Sequence, residues 1–229
     1  MPRDGTATRT AIMDAAQALI LETGYAATAV DAVIAGAGIT KGAFFYHFKT
    51  KADLAKALVL RDAERDAAHL EQNLARAESL SNDPLQQLLL CLGLFEEELA
   101  KLEAPYPGCL YASFAYEAQL FDAATMAVVR EVFANWTRRI SAKLEEVMAL
   151  YPPRLDIDVR TLAEMSLTQA EGAYILGKVN RDARAPAAQF RHYRNYLELL
   201  FSPHPMSSVG AGSAKAVKRR ELDAAPADA

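Results

Sequence analysis

Long apolar runs are missing from this chain. No stretch approaches the roughly 18–20 uninterrupted apolar residues that a membrane-spanning helix requires, and the N-terminus, Met-Pro-Arg-Asp-Gly-Thr, lacks the apolar core of a secretory signal. Cysteine is scarce: Cys91 and Cys109 are the only two in 229 residues, too few for a disulfide framework. A cytoplasmic protein is expected. An excess of positive charge is missing too, since 25 Lys and Arg face 29 Asp and Glu for a net charge of −4. That excludes a broad basic surface of the kind that grips nucleic acid non-specifically. Even residues 1–53 balance, with Arg3, Arg9, Lys41, Lys49 and Lys51 against Asp4, Asp14, Glu22, Asp31 and Asp53. No Ser-His-Asp order, Gly-rich phosphate loop or paired-carboxylate site occurs, and His47, His69, His192 and His204 lie far apart with no ligand spacing. Neither enzyme chemistry nor a metal or other cofactor is expected.

Strand-type alternation persists nowhere, whereas helical spacing recurs throughout, so the expected fold class is all-α. Ile12, Ala15, Ala16 and Leu19 mark a first helix that stops near Gly24, suited to a left-handed C-terminal position. Thr28, with Asp31 three residues on, reads as a capping box for a second helix ending at Gly36–Gly38. Thr40 caps a third helix to about His47, and Thr50 with Asp53 launches a fourth that reaches about Ser79. Asp83-Pro84 restarts the chain, with Pro at a first helical position where no hydrogen bond is lost. Leu85, Leu88, Leu92, Phe95 and Leu99 form the apolar face of that helix, which Pro105 and Pro107 end. Further helices are expected over 109–120, 122–150, 157–181 and 186–201, giving nine. From Ser202 the chain is rich in Ser, Ala, Gly and Pro and carries Lys215, Lys218, Arg219 and Arg220, which reads as an unstructured tail.

Residues 28–54 carry the most specific pattern. Two short helices around a Gly-containing turn, followed by the start of a long helix, have the layout of a helix-turn-helix DNA reader. The groove helix is then Thr40–His47. Gly42 permits close backbone approach, and Thr40 offers a hydroxyl and a helix N-terminus to a phosphate. Lys41 reaches a phosphate or a guanine edge, Tyr46 and His47 lie along a sugar-phosphate strand, and Lys51 meets another phosphate. Phe44 and Phe48 belong to the small core behind it.

The segment resembles the N-terminal domain of the TetR/AcrR family of transcriptional regulators, closely over residues 8–56. The matching positions are Thr28, Val30, Val33, Ala37-Gly38-Ile39-Thr40, Lys41-Gly42, Phe44, His47-Phe48, Lys51 and Leu54. Phe45 stands where the family often has Tyr, and Ile34 where it favours Ala. The resemblance implies a two-domain protein. Residues 1–53 form the three-helix DNA-binding domain, with Thr28, Thr40, Lys41, Gly42, Phe45, Tyr46, His47 and Lys51 at the DNA. Residues 54–201 form a larger helical domain for effector binding and dimerisation, and 202–229 the tail. The implied function is a homodimeric repressor that a small molecule releases from a palindromic double-stranded DNA operator. A DNA-binding activator or architectural protein without an effector, and a helical enzyme with an incidental motif, are the competing readings. A cavity too small for a ligand would favour the architectural one.

Two sets of residues in the larger domain fit those roles. Ser166, Ala170, Ala173 and Gly177 fall at intervals of 4, 3 and 4, with Gly172 beside them, and a mid-helix glycine costs about 1 kcal/mol unless helices approach closely there. With Phe190, Tyr193 and Leu197 they read as a dimer interface, or as the same stripe packed within one chain. Phe95, Tyr111, Phe114, Glu117, Phe121, Trp136, Met165, Gln169 and Tyr174 read as an aromatic effector pocket with a few polar groups, or as ordinary core. Cys109, at a helix start, reads as an acidified thiol or an inert buried one.

Overall fold

Caps and glycines divide the chain into helices at short intervals. A computed structural model describes residues 5–202. Within them lie α1 (Gly5–Thr23), α2 (Val30–Gly36), α3 (Lys41–His47), α4 (Lys51–Leu80), α5 (Pro84–Ala100), α6 (Leu110–Tyr116), α7 (Ala123–Leu150), α8 (Val159–Asn180) and α9 (Ala185–Phe201), with a 3₁₀ turn at Ala118–Leu120. All nine expected helices are present. The basic tail, with His204, lies outside the described residues.

Most of the punctuation follows the local chemistry of the sequence. The Thr40 hydroxyl accepts from the Ala43 amide at 3.2 Å, and Thr50 and Asp53 form both halves of a capping box. Asp83, Asp122 and Asp158 accept from the amides of Gln86, Thr125 and Thr161. Gly24 and Gly38 hold positive φ values of 88° and 62° at the ends of α1 and α2.

Three expectations need correction. Thr28 does not cap α2; its hydroxyl donates back to the Gly24 carbonyl at 2.8 Å, and Ala29 occupies the cap position without a side-chain bond. α5 ends at Ala100 rather than at the prolines, because the Lys101 and Leu102 amides tighten onto the Glu98 and Leu99 carbonyls. The helix expected over 109–120 is interrupted at Glu117, whose carboxylate is bonded elsewhere.

The interior consists of two hydrophobic clusters. The first joins Ile12, Ala16 and Ile20 of α1, Val33 of α2, and Phe44 with Phe48 at α3 to Leu54, Leu58 and Val59 of α4, then to Leu110, Tyr111 and Phe114 of α6 and Val129 of α7. It thus runs well past residue 53. The second joins Leu70 and Leu74 at the far end of α4 to Leu88, Leu92 and Phe95 of α5, Ile140 and Leu144 of α7, Leu162 of α8, and Phe190, Tyr193 and Leu197 of α9. α4 belongs to both.

Candidate functional site

α3 is held from behind by Phe44 and Phe48, both buried, with the Arg9 guanidinium 5.1 Å from the Phe48 ring centre. The opposite face is open. Lys41, Gly42, Phe45 and Tyr46 are exposed, Tyr46 by 77%. Lys41 lies 3.4 Å from Asp31 across solvent, a pairing weak enough for a phosphate to replace. Lys49, absent from the expected contacts, sits on the same side with its ammonium 3.0 Å from the Phe45 carbonyl. Thr40 is exposed while its hydroxyl caps the helix, and His47 is half-buried against Tyr46. Thr28 is 4% exposed and is removed from any surface role by its bond to Gly24.

Lys51 turns inward. Its ammonium donates to the Tyr25 and Ala26 carbonyls at 2.5 and 3.4 Å and stands 4.1 Å above the Tyr25 ring. Burial holds its pKa below the ordinary lysine value, with nearby Glu117 opposing the shift. From the other side the Glu117 carboxylate accepts the Tyr25 and Ala26 amides, both at 2.7 Å. Two side chains from distant elements therefore clamp both polar edges of the α1–α2 turn. Lys178 of α8 adds a third tie, donating to the Leu21 and Pro107 carbonyls at 2.9 and 3.2 Å.

Above that junction, α4, α5, α6, α7, α8 and Phe190 of α9 line a partly open cavity of about 530 Å³, within the roughly 300–1,000 Å³ usual for small-molecule sites. Phe95, Tyr111, Trp136 and Tyr174 line it, as the effector-pocket reading requires. Phe114 and Phe121 do not, because they stack on each other at 4.2 Å in the first cluster. Glu117 does not, being engaged with the α1–α2 turn. Met165 packs against the second cluster and Gln169 is half-buried; neither reaches the cavity wall. The polar wall that the sequence reading missed comes from Asp62, Arg65, Asp66 and His69, together with Glu98 and Glu171. The first four fall at i, i+3, i+4 and i+7 on α4, one helical face in line with buried Leu58 and Leu70; that register was the available signal. Asp62 is buried, and desolvation raises its pKa against the pull of Arg65 and Arg61. Cys109 also lines the cavity, its thiol pushed up by burial first and then by Glu171, the opposite of an acidified thiol.

The family model for bacterial regulatory proteins of the tetR family matches residues 12–58, which span α1, α2, α3 and the start of α4. The transcriptional regulator AcuR of Cereibacter sphaeroides is 29% identical over 160 residues, covering 70% of this chain and 71% of the relative. The HTH-type transcriptional repressor DhaR of a Mycobacterium species is 25% identical, covering 81% and 89%. A TetR-family regulator from Agrobacterium tumefaciens superposes with a TM-score of 0.70 at 25% identity, over 87% of this chain and all of that one. The chain belongs to the TetR family of transcriptional regulators.

In this TetR-family chain the residues expected at a dimer interface are occupied within the protomer. Ser166 accepts the Trp136 indole N–H at 2.8 Å and donates to the Ala163 carbonyl. Ala170 and Ala173 are buried, and a Cβ on Gly177 would lie 2.8 Å from the Asp182 carbonyl oxygen. Phe190, Tyr193 and Leu197 are core, Tyr193 donating to the Leu162 carbonyl at 2.8 Å. The small-residue stripe therefore seats α9 and the cavity wall, the alternative the sequence left open. Thr168, Gly172, Ile175, Leu176 and Val179 lie on the outward face of α8, all exposed, with Val179 at 74%; Leu199 of α9 is exposed as well.

Proposed function

We propose that this TetR-family regulator is a homodimeric repressor, released from a palindromic operator by a small effector bound in the cavity. One observation carries the reading. α6 starts in the cavity wall, at Leu110 and Tyr111, and ends at Glu117, which holds the turn between the first two helices of the reading head. A ligand that shifts Tyr111 also shifts the carboxylate that orients α2 and α3. By linkage, DNA then weakens effector binding by the same factor as effector weakens DNA binding.

Residues 1–53 act as the DNA-binding unit and 54–201 as the effector and dimer unit. Lys41, Gly42, Phe45 and Tyr46 enter the major groove, with Thr40 and Lys49 at its phosphate rim. The dimer forms along the outward stripe of α8, whose apolar Ile175, Leu176 and Val179 stay exposed among the described residues. It sets two copies of α3 about one DNA turn, roughly 34 Å, apart. The protein works in the cytoplasm, where its DNA is, and needs no cofactor for this role. Selecting bound DNA from a random pool tests the reading. Enrichment of a palindrome with half-sites one turn apart is expected, and a non-palindromic selection overturns it.

A further inference from the structure

The cavity wall is acidic as well as aromatic. Asp62, Asp66, Glu98 and Glu171 face it, against the single guanidinium of Arg65. Three of these carboxylates are already satisfied. Asp62 accepts from Gln17 at 2.6 Å and lies 3.3 Å from both Arg61 and Arg65. Asp66 accepts from the Tyr111 hydroxyl at 2.7 Å and from Arg65 at 3.2 Å. Glu98 meets His69 at 2.9 Å.

Glu171 differs. The Cys109 thiol neighbours it, and among the described residues no Lys or Arg pairs with it. Burial raises its pKa, as expected for a carboxylate that has lost water without gaining a cation. Beside it Tyr106 and Tyr174 stack at 4.2 Å, and Trp136 with Phe95 stands at 5.2 Å across the same cavity. Aromatic faces carry the negative part of the ring quadrupole and attract cations.

We propose that the cavity receives an organic cation, an ammonium or quaternary amine bearing an apolar group, with Glu171 as its counter-ion and the tyrosine and tryptophan rings as its walls. This rests on the reading of the cavity as an effector site. An anionic ligand would find the one lining guanidinium already between two aspartates. A neutral ligand would leave the desolvated Glu171 uncompensated.

Trp136 is the chain's single tryptophan and lines the cavity, so its fluorescence reports occupancy. Full-length protein is titrated with benzyltrimethylammonium, its uncharged isostere neopentylbenzene, and 3-phenylpropionate. The cation is expected to give a saturable change at least about tenfold tighter than the isostere, and the carboxylate none. Glu171→Gln should abolish the difference between cation and isostere while keeping the wild-type circular dichroism, and Glu171→Asp should retain part of it. The control Glu164→Gln, at an exposed pair with Arg160, should leave it unchanged. Binding of the isostere or the carboxylate as tight as the cation overturns the cation assignment and leaves an effector site of another class. No response to any of the three overturns it too, and the operator reading then stands or falls on the DNA selection. A cation preference that survives Glu171→Gln overturns the role of Glu171.

Discussion

Phe114 and Phe95 are both phenylalanines on helices of the larger unit, α6 and α5, yet their surroundings are opposite. Phe114 is fully buried, with Phe121 at 4.2 Å and Tyr25 at 5.8 Å from its ring centre. Phe95 has Trp136 at 5.2 Å and Phe190 at 6.2 Å, and borders the cavity. Phe114 is sealed among its aromatic neighbours, whereas Phe95, like Tyr111 of the first cluster, borders open space. Aromatic content therefore does not separate a core from a ligand site. What separates them is how far the helices behind the rings can close, and around the cavity Asp62, Asp66 and Glu171 cannot be collapsed into a dry core without losing their partners or water.

The largest expected effect comes from removing the sealed ring. Phe114→Ala should destabilise the protein by about 3–5 kcal/mol in urea unfolding, and Phe95→Ala by only about 2 kcal/mol, because its truncation enlarges a space that already exists. Equal losses would erase the distinction between the two rings. Next comes the clamp on the α1–α2 turn. Glu117→Ala leaves the Tyr25 and Ala26 amides without their acceptor and should cost about 1–3 kcal/mol, with faster hydrogen exchange at those two amides and undiminished ligand binding in the cavity.

Smaller effects sharpen the division of labour within the head. Lys51→Met should weaken DNA binding without changing its salt dependence, because the ammonium serves the Tyr25 carbonyl. Lys41→Met should lower the salt slope by about one unit. A slope lowered by Lys51→Met would return that lysine to the phosphate contacts. The smallest effect is on pH dependence. The folded state holds the Glu171 proton at pH values where the unfolded chain, at the usual 4.5, has released it. Wild type should therefore lose stability as pH rises from 4.5 through the raised folded value, and Glu171→Gln should lack that portion of the slope in thermal melts.

Features set by neighbours a few residues away were legible in the sequence. The Thr40 cap, the Thr50–Asp53 box, the Asp83-Pro84 restart and the positive-φ glycines all depend on chain within one turn. Thr28 failed for a reason equally local: the Gly24 carbonyl, four residues back, competes for its hydroxyl. Features set by returning chain were not legible. Lys51 at a helix start looks the same whether it meets a phosphate or a carbonyl 26 residues earlier. The Ser166–Gly177 stripe suits a partner's helix or α9 equally, and only the tight reversal at Arg181, with its left-handed φ of 54°, gives it to α9. In the sequence Tyr111, Phe114 and Phe121 read as lining one pocket. The structure divides them: Tyr111 borders the cavity, whereas Phe114 and Phe121 stack on each other against Tyr25.

α4 has 30 residues and so runs about 45 Å, with Leu54–Val59 packed in one cluster and Leu70–Ala77 in the other. Between them, the middle of the helix carries the polar wall of the cavity. Its two anchored ends make it a beam loaded near its centre. A tilt of about 5° about the far anchor moves the near end by roughly 4 Å over that length, more than the width of a hydrogen bond to a phosphate. A tilt of that size carries with it α3, whose Phe44 and Phe48 pack in the same cluster as Leu54–Val59.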